Sequence, residues 1–336
     1  MNFQEVIIEL TDYCNLNCAQ CYNKKLEDRR EFPSERIEDV CNQITAQGAN
    51  LFCFGGGEPL LYSHLDNVLN YCRSAPNQNF LFATNGHLLT DELLDELISI
   101  GNIGVQVSVD GITREVYEAH RGQNTFDRFY DRLHLLASSK LNWKFARTCV
   151  TALNMHEVED IYRYLVGLGI RPSFVSVTKQ GNAVENWDKL GISFHQKISL
   201  HRLIHSLNKE YALDVELPIP VCRCSIAESD EVRAISIKTS GDVISCQQFC
   251  NTPIGNIFYT SLNDVVSSKI AKQRNLTAIK RKEILLNSTE CNSCGLKGSC
   301  EFGCIGLAIA RGDTFGLDGE CEYRKAFFAL KKLNII

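Results

Sequence analysis

Residues 6–21 read VIIELTDYCNLNCAQC, a short apolar β-rich run that breaks into a loop carrying Cys14, Cys18 and Cys21. The loop spacing is C-x3-C-x2-C. Three neighbouring thiolates hold three irons of a [4Fe-4S] cube and leave the fourth iron without a protein ligand, so it is open to the amine and carboxylate of a small molecule. A structural zinc is the competing reading, but it needs a fourth ligand, and no further Cys or His lies close by in sequence.

Outward from this loop, β-rich runs alternate with helical periodicity as far as about Thr178. VIIEL, LFCF, FLFAT, IGVQVSV, KFARTCV and SFVSV are short, apolar and bounded by Gly, Asn or Pro, which predicts strands. Ile37, Val40, Cys41 and Ile44 fall at i, i+3, i+4 and i+7, and Leu65, Val68, Leu69 and Cys72 repeat that spacing, which predicts helices. Gly48 closes the first of these, Thr90 and Thr125 are N-caps for later ones, and Phe129, Leu133 and Leu136 mark another apolar stripe. Six strand-helix units in series require a parallel sheet with right-handed crossovers, whose chemistry sits at the C-terminal strand ends. The cysteine loop, Gly56-Gly57-Glu58-Pro59, Thr84-Asn85-Gly86 and the Ser108–Gly111 stretch SVDG each follow a strand in this way.

Composition narrows the function classes. Of the 336 residues, 44% are apolar and 22% charged, and the net charge of −5 gives no general attraction for nucleic acid. No apolar run is long enough for a membrane span and no secretory signal is recognisable, so a cytoplasmic address is expected. Sixteen cysteines in a reducing compartment point to metal ligation rather than a disulfide framework. Lys269 to Lys282 form the one basic stretch, read as a solvated helix or linker face because it lacks interleaved aromatics. Cys41, Cys53, Cys72 and Cys149 lie on apolar faces and are read as core.

The cysteine triple after the first strand, followed in order by the strand-end motifs, resembles the radical SAM superfamily. That likeness implies a partial (β/α)6 TIM-like barrel that binds S-adenosyl-L-methionine on an open [4Fe-4S] cluster and cleaves it reductively to a 5′-deoxyadenosyl radical. Cys14, Cys18 and Cys21 would hold the cluster. Gly56, Gly57, Glu58 and Pro59 match the GGEP element that contacts the methionine amine. Ser108, Asp110 and Arg121 match positions that meet the ribose and carboxylate, and Asn85 lies in the third-strand element. The residue before the third cysteine is commonly aromatic in this superfamily, and here it is Gln20.

Beyond about Val221, glycine and cysteine become dense and regular alternation stops, as in a small loop-rich unit stapled by metal. Cys291, Cys294, Cys300 and Cys304 read C-x2-C-x5-C-x3-C, with Cys321 beyond and Cys222, Cys224 and Cys246 upstream. This resembles the SPASM extension, which implies two auxiliary [4Fe-4S] clusters: Cys222, Cys224, Cys246 and Cys304 for one, and Cys291, Cys294, Cys300 and Cys321 for the other. Cys250 could replace an upstream ligand, and one of Cys222, Cys224 and Cys250 could be a free hydrogen-atom donor. The expected organisation is a core domain over residues 1–215 and an auxiliary-cluster domain over 216–336.

Enzymes of this kind mostly modify peptides or proteins, by crosslinking, epimerisation or oxidation. A minority act as dehydrogenases or epimerases of aminocyclitols or sugars, and a non-catalytic iron-sulfur scaffold is the reading from another class. Formylglycine formation is disfavoured, because Gln247 stands where the sulfatase-maturing group has an Asp. The chain starts almost at its first strand, so a leader peptide would be recognised by the barrel, the appendage or a separate peptide-binding protein. A flavodoxin- or ferredoxin-type electron donor is implied.

Overall fold

A computed structural model describes residues 5–23, 29–215, 217, 234–245, 252–296, 300 and 302–336. Cys222, Cys224, Cys246, Gln247 and Cys250 lie outside the described residues. The first half alternates as expected: β1 (Glu5–Thr11), α1 (Ile37–Ala46), β2 (Leu51–Gly56), α2 (Leu65–Ser74), β3 (Asn79–Thr84), α3 (Asp91–Ile100) and β4 (Ile103–Ser108). There follow α4 (Arg114–Arg121), α5 (Phe126–Ser138), β5 (Lys144–Val150), α6 (Val158–Gly167), β6 (Arg171–Ser176), α7 (Trp187–Leu190) and α8 (Phe194–Tyr211). The six strands pair in parallel in the order β6-β5-β4-β3-β2-β1, a barrel-like sheet that does not close on itself.

The helices stop where local chemistry tells them to. Thr90 accepts from the Leu93 N–H and caps α3, whereas Gly101, with φ +89°, ends it in the left-handed region. Thr113 caps α4 in the same way through the Val116 N–H. Thr125 does precede α5, but its hydroxyl donates to the Gly122 carbonyl and caps nothing. The alternate residues Val6, Ile8, Leu10, Phe52, Phe54, Phe80, Phe82, Val105 and Val107 are buried under the helices and form the main core with Val40, Ile44, Val68 and Leu97. Pleating therefore turns Ile7, Glu9, Cys53, Ser108, Arg147 and Cys149 to the opposite, concave face. Cys53 and Cys149 are thus half-buried residues of the inner face, while Cys41 and Cys72 are core as expected.

The C-terminal region adds β7 (Ala234–Ile237), β8 (Asp242–Ile244) and β9 (Gly255–Asn256), then α9 (Leu262–Val266), α10 (Lys269–Leu286), α11 (Thr289–Asn292), α12 (Ile305–Ala310) and α13 (Cys321–Lys332). β7 pairs in parallel with β1, and β8 and β9 extend the same sheet antiparallel to nine strands, so the sheet runs past residue 216. The basic stretch forms α10. No helix among the described residues is long and apolar enough to cross a membrane.

Helix α13 returns to α8. Lys197 Nζ reaches both Glu320 carboxylate oxygens at 2.9 Å, and His201 Nε2 lies 2.5 Å from the Tyr323 hydroxyl. Burial pushes the His201 imidazole down from 6.5 to about 4, so it is neutral at pH 7. The unfolded chain takes up this proton as pH falls below 6.5 and the folded chain does not until about 4. Its contribution is therefore fully present above pH 6.5 and shrinks across that window, with a slope of at most about 1.4 kcal/mol per pH unit. Denaturant titrations at several pH values should show the slope, and His201→Asn should flatten it.

Candidate active site

The cysteine loop leaves β1 through an irregularity: Glu9 pairs with Gly55, but Thr11 pairs with Gly56. Gly57 and Glu58, just past the next strand end, then grip the loop's backbone. The Gly57 N–H donates to the Thr11 carbonyl and the Glu58 N–H to the Tyr13 carbonyl, both at 2.7 Å. A Cβ on Gly57 would lie 2.1 Å from the Tyr13 oxygen, and one on Gly56, at φ +121°, 2.5 Å from the Thr11 oxygen. Gly57→Ala should therefore push the loop off its seat; anaerobically reconstituted variant should lose roughly four irons, one cube, relative to wild type. Retention of wild-type iron would show that the loop tolerates displacement.

Two other segments pin the loop. The Ala19 N–H donates to the His120 carbonyl at 2.8 Å, and the Asn182 N–H to the Cys21 carbonyl at 2.9 Å. The Asn182 side chain adds a bond to the Cys18 carbonyl at 3.0 Å, and Gly181, at φ +54°, sits so close that a Cβ would meet the Cys21 and Tyr22 oxygens at 2.4 Å. Sequence reading missed Asn182: it is one polar residue in a polar segment, with no periodic or motif signal.

Glu58 is fully buried yet fully engaged. It accepts from the Thr84 hydroxyl at 2.6 Å, the Asn85 N–H at 2.8 Å and the Leu60 N–H at 3.2 Å. Burial raises its pKa, and these donors pull it back. The Asn85 amide reaches Asn15 at 2.8 Å and stands 3.9 Å from the Cys14 sulfur, so the third-strand element touches the cysteine loop. Asp110 is buried and pairs with Arg121 at 2.5 Å, while its carboxylate also accepts from the Gln20 amide at 2.5 Å and the Cys149 N–H at 2.8 Å. Arg121 in turn points Nη1 at the Cys18 sulfur, 3.4 Å away. Ser108 lies half-buried at the end of β4, paired in register with Arg147.

Thus the cysteines, Glu58, Asn85, Asp110 and Arg121 lie at one end of the sheet, linked by hydrogen bonds to one another or to the same loop. Burial raises the Cys14 thiol and pushes Cys21 up to about 11, so these thiols release protons when iron binds. No three His, Cys, Asp or Glu side chains among the described residues converge on a single ion. A cube does not ask them to, because each thiolate takes its own iron. The donor set fits that group. It fits a polar ligand too: Gln20 Oε1 and Arg121 Nε are buried without a hydrogen-bond partner.

A second site stands in the C-terminal region. Cys291, Cys294, Cys300 and Cys321 line one cavity of about 200 Å³ together with Phe302, Arg324 and Lys325. Cys304 is not among its lining residues. That is the grouping expected for one auxiliary cluster; the upstream partners expected for Cys304 fall outside the described residues.

The fold and the cysteine loop define the class: residues 8–165 match the Radical SAM superfamily, and the chain is a radical SAM enzyme, with the cofactor S-adenosylmethionine and one [4Fe-4S] cluster that membership implies. Among curated relatives it is similar to the mycofactocin maturase MftC of Mycolicibacterium smegmatis, 24% identical over 97% of this chain and 84% of that protein. The AdoMet-dependent heme synthase of Methanosarcina barkeri is also 24% identical, over 94% and 95% of the two chains. Among solved structures, SuiB of Streptococcus suis bound to precursor peptide SuiA superposes with a TM-score of 0.74 at 20% identity, covering 94% of this chain and 75% of that one. SuiB has also been solved bound to S-adenosylmethionine.

Proposed function

We propose that this enzyme is a peptide maturase that abstracts hydrogen from a peptide or protein to crosslink, epimerise or oxidise it, using one S-adenosylmethionine-binding and two auxiliary [4Fe-4S] clusters. The cluster and S-adenosylmethionine, when bound, supply the electron and the radical chemistry. The chain's own residues position and shield them. Cys14, Cys18 and Cys21 hold the irons, and Gly57 and Asn182 fix the loop that carries them. Glu58, locked by Thr84, Asn85 and Leu60, offers its turn to the methionine amine. Arg121, oriented by Asp110, sets a cation beside Cys18 and would offer it to the cofactor carboxylate.

The observation that carries the peptide reading is the unclosed sheet with an accessible concave face, joined to the likeness to MftC and SuiB. An extended chain enters an open cleft more readily than a closed pocket. On that face the Arg147 side chain is exposed and has no partner among the described residues, whereas Glu9 and Lys238 neutralise each other. Arg147 therefore receives a substrate carboxylate.

The test is anaerobic reconstitution with dithionite, followed by coexpression with short reading frames from the neighbouring genes. Expected are about twelve irons per chain, conversion of S-adenosylmethionine to 5′-deoxyadenosine, and a mass change in a peptide. Arg147→Met should raise the peptide KM roughly tenfold or more, the worth of one charged hydrogen bond, with cofactor cleavage in the absence of substrate unchanged. Turnover of a porphyrin or sugar with no peptide product would overturn the maturase reading.

A further inference from the structure

We propose that Arg324, held by Asp318, is the positioning and charge-setting residue of the four-cysteine cavity, and that it makes the cluster bound there easier to reduce. The inference rests on the reading that Cys291, Cys294, Cys300 and Cys321 hold an auxiliary cluster. Arg324 and Asp318 are both buried, and their pairing is two-pronged: Nη1 to Oδ2 at 2.7 Å and Nη2 to Oδ1 at 2.6 Å. The pair has a direction. Arg324 lines the cavity and its Nη2 stands 3.7 Å from the Cys321 sulfur, whereas Asp318 is not a lining residue.

The carboxylate also ties together the segments that carry the ligands. Asp318 Oδ2 accepts from the Cys304 N–H at 2.7 Å and Oδ1 from the Glu320 N–H at 3.1 Å. One buried group thus fixes both the turn over Phe302, Gly303 and Cys304 and the start of the helix that bears Cys321. That turn is itself tight: Phe302 and Gly303 both have positive φ, +56° and +74°. A Cβ on Gly303 would lie 2.4 Å from Asp318 Oδ2 and 2.5 Å from Arg324 Nη2, so glycine is the residue that leaves space for the pair.

A cube held by four thiolates is a buried anion, more negative once reduced. A guanidinium donating to a ligand sulfur favours the reduced form, as hydrogen bonds to cluster sulfurs do in general. Asp318 partly offsets that charge from farther away. The two residues therefore act with opposite sign, which separates a redox role from a merely structural one.

The experiment is an EPR-monitored potentiometric titration of the anaerobically reconstituted full chain, with iron and labile sulfide counted on each sample. Arg324→Gln should lower the potential of one cluster and leave the others in place. Asp318→Asn should raise the same potential. The double variant Asp318→Leu with Arg324→Met replaces the pair by apolar side chains, which a buried site tolerates better than one orphaned charge, and its potential should fall below wild type. That variant decides the matter if either single variant fails to fold. Shifts of one sign in both single variants, or a double variant at wild-type potential, would overturn the assignment. Wild-type protein with only about four irons would instead refute the auxiliary cluster itself, a distinguishable result.

Discussion

Cys18→Ala is expected to reduce the conversion of S-adenosylmethionine to 5′-deoxyadenosine to background and to remove roughly four irons. The substitution deletes a sulfur and with it the Arg121 contact, but it leaves the loop's backbone bonds in place. The Cys18 carbonyl still accepts from Asn182, and the Tyr13 carbonyl still accepts from the Glu58 N–H, so the loop keeps its backbone anchors. What is lost is one of only three grips on the cube. Cys14→Ala and Cys21→Ala should behave alike. Cys321→Ala removes a proposed ligand from the C-terminal cavity and should impair substrate turnover and folding more than cofactor cleavage. Product assay by chromatography, with iron analysis on the same samples, separates the two patterns; equal loss of both activities in both sets would contradict the division of labour.

Asp110→Ala is expected to cost about 3–5 kcal/mol of stability, the cost of leaving a buried charge without its partner. The Asp110 carboxylate has no exposed surface, and its counter-ion Arg121 is only 12% exposed. Alanine strands the Arg121 guanidinium and frees the Gln20 amide and the Cys149 N–H at once. Asp110→Asn keeps an acceptor for the Cys149 N–H and should cost less. Denaturant unfolding of the iron-free protein reads the difference. A loss below about 1 kcal/mol, the scale of an exposed ion pair, would mean that solvent reaches this pair.

Much of the barrel was readable from the sequence because six apolar runs between amphipathic segments leave few topologies. Cys14, Cys18 and Cys21 stood out for a chemical reason, since three thiols on one short loop have few other uses. Cys53 and Cys149 lie half-buried on the inner face, Cys149 against the small cluster of Val177, Ala183 and Leu190, rather than among the fully buried core residues. Strands of a parallel sheet are apolar on both faces, so FCF and TCV do not reveal which side the thiol takes. The short strands Ala234–Ile237 and Asp242–Ile244 gave no periodic signal, because three or four residues are too few to establish alternation. Thr113 and Thr125 look equally like caps in one dimension; only the backbone path decides that the first bonds Val116 and the second turns back to Gly122. Gln20 stood out by its residue type, but its bond to Asp110, 90 residues away, needs the folded chain.

The pairing of Ala234–Ile237 with the first strand also bears on assembly. During synthesis the strand that launches the cysteine loop has one flank unzipped until more than two hundred further residues have emerged, and an unpaired flank invites sticking to other chains. A truncation at residue 215 would leave that flank bare for good, so the barrel half is a poor candidate for expression as a stand-alone piece.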